Sequence, residues 1–579
     1  MQRPHAPSLG LIVATSGLAS LGAEIATARL LAPAFGSSTV IWANTIAIVL
    51  VALAIGAWFG GRMADRGPNA ARLHQLLLGG AALLALTPVL AVPLLGVGIR
   101  ALDDVSAPGF FGSLVAVLLL VAAPLALLGA VTPYAVRLAL GAIDADAEDA
   151  LARAGSVAGR LSALATGGSL VGTFLASLAL IPLAGTRRTF LLFALVLAAL
   201  AVWGLAAAQA EVAADGDQGD GERASVADPA TAATAPAAPP AFSRRIVALA
   251  AAVPLAIASL AAMPTPVVKA AEGEERLLEE RETNEQYARV LQSPDGHRTM
   301  ELGEGHAIHS LFQPDTLITH NYWDELLALP HLAGHAPRRV LILGNAGGTT
   351  ATALRAFDPQ VEVDAVDYDG QLAELGAKWF GLGGPRLRLL TGDARVVLRR
   401  ATARYDAILV DAYRQPYIPF HLSTREFFTL VRERLAPGGV VVVNVGHPER
   451  DDALEKVLAA TMRAAGFDHV LRDPAQAVNT QLVGRATAFD ATALAAAADA
   501  EEATARAAER ASAAPATRSA IGGLTPSELV RDRRSLAGSI RATAARLAPA
   551  LTGGRVYTDD TAPVELLIDG SIAKVATGG

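Results

Sequence analysis

A chain of 579 residues, 52% of them hydrophobic, is too long for one domain of ordinary size and too apolar for a wholly water-soluble one. Its 48 basic and 55 acidic residues leave a formal charge of -7, and no long basic run tracks a phosphate backbone, so no nucleic-acid partner is expected. With no cysteine, a disulfide framework, a thiolate metal site and a thiol nucleophile are excluded.

The apolar excess lies before residue 265, in runs of about twenty residues, the length that crosses roughly 30 Å of hydrocarbon. Spans are predicted near 9–31, 40–60, 74–98, 112–136, 156–182, 189–209 and 246–264. The first, LIVATSGLASLGAEIATARLL, keeps Glu24 and Arg29 and is followed at once by another span, which argues against a cleaved signal peptide. Charges at membrane depth are expensive unless satisfied. Glu24 and Arg29 therefore either snorkel and bond near helix ends or line a polar cavity. GGRMADRG, 60–67, puts Arg62 and Arg66 at a membrane edge, and SALATGGSLVGTF, 162–174, strings small residues through a span, as close helix packing requires. With Arg62 and Arg66 cytoplasmic, seven spans place the residues after 265 outside. Arg187 and Arg188 oppose that orientation and Arg244 and Arg245 favour it, so charge bias leaves the side open.

The domain reading is then a membrane domain over 1–209 with six helices and an acidic, Pro/Ala-rich disordered loop over 210–242, which has too little to bury. A seventh helix and its connection follow over 243–270. In NEQYARVLQSPDGHRTMEL, 284–302, apolar and polar residues alternate around an Asp-Gly turn, the pattern of a hairpin. HAIHSLF adds a strand and THNYWDELLALPHL a helix, completing a small sheet-and-helix region over 275–337.

Residues 338–485 read as an α/β domain. RRVLILGNAGGTTATALRAF passes from an apolar strand through a glycine-rich turn (Gly344, Asn345, Gly347, Gly348) into a helix, whose free amides can face a ligand. VEVDAVDYDG ends a second strand at Asp367, Tyr368 and Asp369; an acid there can accept both hydroxyls of a ribose. PRLRLLTGDARVVLR carries Gly392, Asp393 and Ala394 in the next turn, where a carboxylate can accept from an adenine amino group. YDAILVDAY leaves Asp411 at the carboxyl end of a fourth strand, where open α/β sheets bind their ligands. A GxxxxGK sequence, the mark of a nucleoside triphosphatase loop, is absent.

In order and spacing, ILGNAGG, VDYD, GDAR, YDAILVDAY and STREFF resemble the spermidine synthases (aminopropyltransferases), in the form fused to a membrane domain. The likeness covers about 280–484 and returns at RVYTDDTAPVELLID, 555–569. More vaguely, the membrane half resembles half of a major-facilitator transporter. What this implies is a polytopic α-helical membrane domain followed by an α/β Rossmann-like, spermidine synthase/methyltransferase-type domain with a small N-terminal β-sheet. It also implies an adenosyl-sulfonium donor, S-adenosylmethionine or its decarboxylated form, with no metal. The donor would lie on Gly344, Asn345, Gly347, Gly348, Asp367, Tyr368, Gly392, Asp393, Ala394 and His309. Asp411 would take the acceptor's proton, with Tyr322, Tyr413 and Arg414 around the reacting nitrogen. A small-molecule acceptor, the lipid bilayer and a second copy in a homodimer are the implied partners. The location implied is the inner (plasma) membrane, multi-pass, with the soluble domain on the cytoplasmic side where the donor is made.

Three departures bear on the reaction. The family's second carboxylate on the fourth strand is Arg414, its turn acid is Gly347, and a glutamine of its N-terminal sheet is His309. A polyamine is a polycation and arginine repels it, which argues against putrescine as acceptor. Arg414 either pairs with Asp369 or another acid, holds a carboxylate or phosphate of a substrate, or stands apart from the site. Lyase, methyltransferase and ligand-sensing transporter readings stay open. The following YRQPYIPFHLS, with Tyr413, Tyr417, Phe420 and His421, forms a mixed lid in which His421 is a base or only a hydrogen-bonding residue. Glu282 and Tyr287 lie near a motif like E-S-x-Y. His306, His309 and His320 alternate as strand residues do, without an acid to complete a metal set. Over 486–579 the chain reads as a helical extension: a charged helix over 491–518, a helical pair or insertion over 521–550, and then Asp559 and Asp560, which reach the crevice or the membrane half or lie in a surface turn.

Overall fold

The computed structural model describes residues 6–35, 39–102, 108–141, 150–223, 244–263, 268–303, 307–413, 418–511 and 524–576. His306, Arg414 and Tyr417 lie outside these. The chain divides into two compact units, one built essentially from residues up to Val268 and one from Lys269–Gly579.

The first unit is helical: α1 (Leu9–Phe35), α2 (Thr39–Asp65), α3 (Ala70–Leu102), α4 (Pro108–Leu140), α5 (Ala150–Leu175), a π turn (Ala176–Leu180), α6 (Ile181–Ala184), α7 (Thr186–Arg223) and α8 (Arg244–Ala262). Six stretches among the described residues are long and apolar enough to cross a bilayer. The stretch predicted near 156–182 is one of them, running from Arg153 to Ala184 through the π turn. The seventh expected span is a helix as well, outside these six. It forms α8, Arg244–Ala262, of which the stretch Ala250–Ala262 is a shorter apolar helix among the described residues. The loop expected from 210 begins later, because α7 runs on to Arg223. Residues 224–243 lie outside the described part.

Small residues do set the packing of this unit. Gly168 and Gly172 of α5 lie so close to the backbone of Ala14 and Leu18 on α1 that a Cβ has no room, and Gly56 and Gly60 of α2 meet Ala126 and Ala130 of α4 in the same way. Buried polar groups find partners across helices. Ser16 donates to the Leu128 carbonyl (3.1 Å), Thr87 to the Leu120 carbonyl (3.1 Å) and Asn44 to the Ser113 hydroxyl (3.0 Å). In GGRMADRG, Arg62 lies over the Trp58 ring at 4.8 Å and Asp65 accepts from Arg137 at 3.0 Å.

The second unit opens with an antiparallel sheet in simple order, β1 (Arg276–Glu282), β2 (Tyr287–Gln292), β3 (Arg298–Leu302) and β4 (Ile308–Phe312). The last three strands match the alternation in the sequence. RLLEERE of β1 does not alternate, and its strand forms only by pairing with β2. After α9 (Trp323–Ala328) come β5 (Arg339–Leu343), α10 (Thr349–Phe357), β6 (Glu362–Asp367), α11 (Gly370–Trp379), β7 (Leu387–Thr391), α12 (Ala394–Arg400), β8 (Tyr405–Val410), α13 (Arg425–Arg434) and β9 (Leu435–Gly446). The chain then continues through α14 (Ala453–Ala464), β10 (His469–Asp473), β11 (Asn479–Arg485), α15 (Ala493–Ala511), α16 (Pro526–Arg546), β12 (Ala548–Pro549) and α17 (Val564–Ala576). The eight-stranded sheet has the order β12-β10-β11-β9-β8-β5-β6-β7, parallel from β9 to β7 and antiparallel beyond.

Its central strands are covered on both faces, so they read as near-continuous apolar runs. Leu341 and Leu343 of β5 join Phe427, Phe428 and Leu458 on one side. Val340 and Ile342 join Trp323, Leu326 and Leu354 on the other. The region 486–579 packs into this same unit. Leu494, Leu536 and Ile540 enter the second core, and Asp532 accepts from Thr316 Oγ1 (3.0 Å) and the Leu317 amide (2.7 Å). Within the stretch 521–550 the described residues form one helix, α16, begun by the Thr525–Glu528 capping box, and an edge strand.

Candidate active site

From β5 the chain winds one way to β6 and β7; from β8 it winds the other way to β9. That reversal opens a crevice at the carboxyl ends of β5 and β8, the place where open α/β sheets take their ligands. A cleft of about 580 Å³ lies there, lined among others by Tyr322, Gly344, Asp367, Asp411, Tyr413 and Asn444.

Asp411 extends β8, its amide donating to the Leu343 carbonyl at 2.8 Å. The carboxylate accepts from the Tyr322 hydroxyl at Oδ2 (3.1 Å) and from Asn444 Nδ2 at Oδ1 (2.8 Å). Asn444 is itself fixed, because its side-chain oxygen accepts from Asn479 (3.0 Å) and Gln481 (2.8 Å). The Tyr413 hydroxyl donates to the Asn444 carbonyl (2.8 Å) and accepts from the Gly446 amide (2.6 Å). Burial pushes the Asp411 carboxyl up to about 7, and the two hydrogen bonds it accepts pull the other way. Burial also raises both phenols, with the Asp411 charge adding to the effect, so Tyr322 and Tyr413 stay protonated as donors near neutral pH.

The glycine turn is built against this strand end. Gly344 has φ +93°, and a side chain on it would run into the Asp411 carbonyl. Asp367 closes the turn. Its Oδ2 accepts from the amides of Asn345 (3.1 Å) and Ala346 (2.7 Å), its Oδ1 from the Asp369 amide (3.0 Å), and burial raises its carboxyl. The Asn345 side-chain oxygen, buried on the cleft wall, has no hydrogen-bond partner among the described residues. An orphaned buried acceptor of this kind suits a ligand that donates to it. His309 also lines the cleft, with Nδ1 3.0 Å from the Ala307 carbonyl. Burial lowers it to about 4, so it is neutral at pH 7, with Nδ1 as the donor and Nε2 free to accept.

Of the residues singled out from the sequence, the cleft brings together Asp411, Tyr322, Tyr413, Gly344, Asn345, Asp367 and His309. Gly347, Gly348, Tyr368, Gly392, Asp393 and Ala394 are not on its wall. Gly347 donates to Ser310 Oγ (2.8 Å), and a Cβ there would lie 3.0 Å from that oxygen and 3.1 Å from Met300 Cε, so the space an acid would need is filled. Asp393 caps α12 by accepting from the Val396 amide (3.0 Å) and accepts from His421 Nε2 (2.7 Å). These hydrogen bonds outweigh its partial burial and hold its carboxyl below the ordinary value. Asp369 is taken up by Thr283 Oγ1 (2.6 Å) and the cap of α11. Tyr287 faces Glu280 (2.8 Å). Among the described residues no group of three or more His, Cys, Asp or Glu is placed to hold a metal.

Asp559 answers to Arg395, which donates to both of its oxygens (2.7 and 2.6 Å), and to Thr424 (2.7 Å). This clamp holds the arm that leads into α17, and α17 brings Ile568 and Ile572 to the cleft. Asn444, Asn479, Ile568 and Ile572 went unnoticed in the sequence. For Asn444 a signal was there, an amide at the end of the buried run VVVVNV.

Residues 319–472 match the spermine/spermidine synthase domain. Over 158 residues the chain is 37% identical to a protein named "Probable polyamine aminopropyl transferase" of Bifidobacterium longum (strain NCC 2705), a match covering 26% of this chain and 35% of that one. Over 112 residues it is 38% identical to the polyamine aminopropyltransferase of Vibrio vulnificus (strain CMCP6), covering 19% and 38%. The chain thus spans little more than a third of the length of these two relatives. Among solved structures, a probable spermidine synthase from Corynebacterium glutamicum ATCC 13032 aligns at 24% identity with a TM-score of 0.34, over 38% of this chain and 84% of that one. The likeness of the membrane unit to half a transporter rests on the sequence of one loop alone.

Proposed function

We propose that the second unit is an alkyltransferase of spermidine synthase type that moves an aminopropyl-type group from an adenosyl-sulfonium donor to an acceptor amine. The observation that carries this reading is the constellation of Asp411, Tyr322 and Asn444 at the β5/β8 crevice, inside the segment that matches the synthase domain. Asp367 and Asp411 both stand on the cleft wall. Such a wall suits two cationic reactants, a sulfonium and an ammonium.

Gly344, Asn345, Asp367 and His309 form the donor side, where the turn lets backbone come close to the ligand. The acceptor approaches Asp411 as an ammonium and gives its proton to the carboxylate. The freed lone pair attacks the donor carbon next to sulfur. As the N–C bond forms the C–S bond breaks, its electron pair stays on sulfur, and neutral methylthioadenosine leaves. A carboxyl near 7 is a better proton acceptor for this step than an ordinary aspartate near 4. Tyr322 and Asn444 hold the carboxylate in line, which is where most of the positioning energy would be spent. The membrane is taken to be the plasma membrane, with the donor drawn from the cytosol.

The test is mass spectrometry of the full chain in detergent, incubated with S-adenosylmethionine or its decarboxylated form, with and without an amine. Methylthioadenosine that requires both donor and amine is the expected result. Methylthioadenosine without amine would make the protein a lyase, adenosylhomocysteine a methyltransferase, and turnover of neither donor would remove the enzymatic reading.

A further inference from the structure

Asn444 sits on β9 and Gln481 on β11, and the antiparallel register sets the two directly opposite each other. Asn479 stands two residues before Gln481, opposite Gly446, so its side chain leaves β11 on the same face. One oxygen thereby meets two amides: Asn444 Oδ1 accepts from Gln481 Nε2 at 2.8 Å and from Asn479 Nδ2 at 3.0 Å. With both lone pairs of that oxygen engaged, the amide has one orientation left, and its nitrogen is the end that meets Asp411 Oδ1 at 2.8 Å. Turned over, it would set its oxygen against the carboxylate and its N–H groups against two N–H donors. Gln481 is fully buried and is not on the cleft wall, so it touches neither reactant. Its own Oε1 is buried with no hydrogen-bond partner among the described residues. An open buried acceptor lowers stability, and a methionine of about the same size would avoid it. What the amide does that methionine cannot is hold Asn444.

We infer that Gln481 is a positioning residue of the proposed transferase: through Asn444 it keeps an N–H donor on Asp411, which favours the ionised carboxylate that takes the acceptor's proton. This rests on the transferase reading for what Asp411 does, and on the hydrogen bonds alone for what Gln481 does to it. Burial drives Asp411 toward its neutral form, and the hydrogen bond from Asn444 opposes that. Loosening the amide therefore raises the pH at which Asp411 ionises. Tyr322 and Tyr413 are the titratable groups that face Asp411, while His309, Asp367 and His447 stand elsewhere on the same wall. All of them are common to both members of each pair of chains compared below.

The experiment reads Asp411 without substrate, from the thermal midpoint of the detergent-solubilised full chain across about pH 5–9, each chain paired with the same chain carrying Asp411→Asn. The gap within a pair widens with pH until Asp411 is ionised in the folded chain, and is level beyond. Gln481→Met should move the start of that level stretch up by about half a pH unit or more, and Asn444→Ala by about one pH unit or more. The two together should do no more than Asn444→Ala alone. At about pH 5, where Asp411 is neutral, Gln481→Met should melt at or above the parent, since the open acceptor is gone. In the methylthioadenosine assay, Gln481→Met should lower kcat/KM by about threefold more at pH 6 than at pH 9. A lower midpoint at pH 5 with the level stretch unmoved makes Gln481 a packing residue and overturns the inference. So does a Gln481→Met effect that persists in the Asn444→Ala chain. Should Gln481→Met not fold, Asn479→Ala, which trims a half-buried side chain of the wall, takes its place with the same expected direction, and an unmoved level stretch there overturns the inference as well. No methylthioadenosine release from the parent removes the transferase reading, and the melting result then decides by itself whether Gln481 sets the ionisation of Asp411.

Discussion

At Asp411 burial and hydrogen bonding pull against each other, and burial wins, leaving a carboxyl that titrates near 7. As a base it must be ionised, so kcat/KM is expected to rise with pH through about 7 and to level above it. Asp411→Asn should remove that limb and lower the rate by about 10²-fold or more, read from methylthioadenosine release across pH 5.5–8.5. The same group affects stability with the opposite sign. An unfolded aspartate ionises near 4, so between about 4 and 7 the folded chain holds a proton the unfolded chain has lost. The stability given by the neutral form is complete below 4 and is lost as pH rises through 7. Asp411→Asn, neutral throughout and able to keep both neighbours, should therefore gain thermal midpoint over the parent at pH 8 relative to pH 5. A gap that does not change with pH would rule this out. Asp411 itself was legible in the sequence as the acid closing a buried strand. Asn444 was signalled as an amide ending the buried run VVVVNV, but not as the partner of Asp411, because an amide at a strand end says nothing of which neighbour it will face.

Two elements carry weight outside the crevice. The arm before α17 is held by Asp559, whose bidentate pair with Arg395 is half exposed on the acid's side and well covered on the arginine's. Asp559→Ala is expected to cost about 1 kcal/mol and, more tellingly, to speed proteolysis within 560–576 in native conditions. Unchanged cleavage would mean that α17 is held by its packing alone. In the membrane unit the α1–α5 contact depends on Gly168 and Gly172. Gly172→Leu should force the two backbones apart and move the detergent-solubilised protein from a single peak to aggregate in size exclusion, whereas Ala at exposed Gly155 should not. The small-residue stripe was readable as a packing face, since its meaning is local to the helix that bears it. Which helix it meets was not.

For the whole molecule, composition already demands a bilayer, and the six apolar helices predict that the chain stays in the membrane pellet after alkaline carbonate extraction. Release into the supernatant would refute it. What the sequence by itself determined is what short-range pattern controls: apolar runs long enough to span lipid, alternation around an Asp-Gly turn, glycine turns after apolar strands, and acids at strand ends. Only the tertiary structure decided which of those acids share a cleft. Asp367 at the end of β6 and Asp411 just after β8 line one cleft, while Asp393, two strands from β5, turns to His421 and the cap of α12. It also brought in Asn479, Ile568 and Ile572, distant in the chain from Asp411, because sheet order and the Asp559 clamp are contacts between residues far apart in sequence, which no local periodicity encodes.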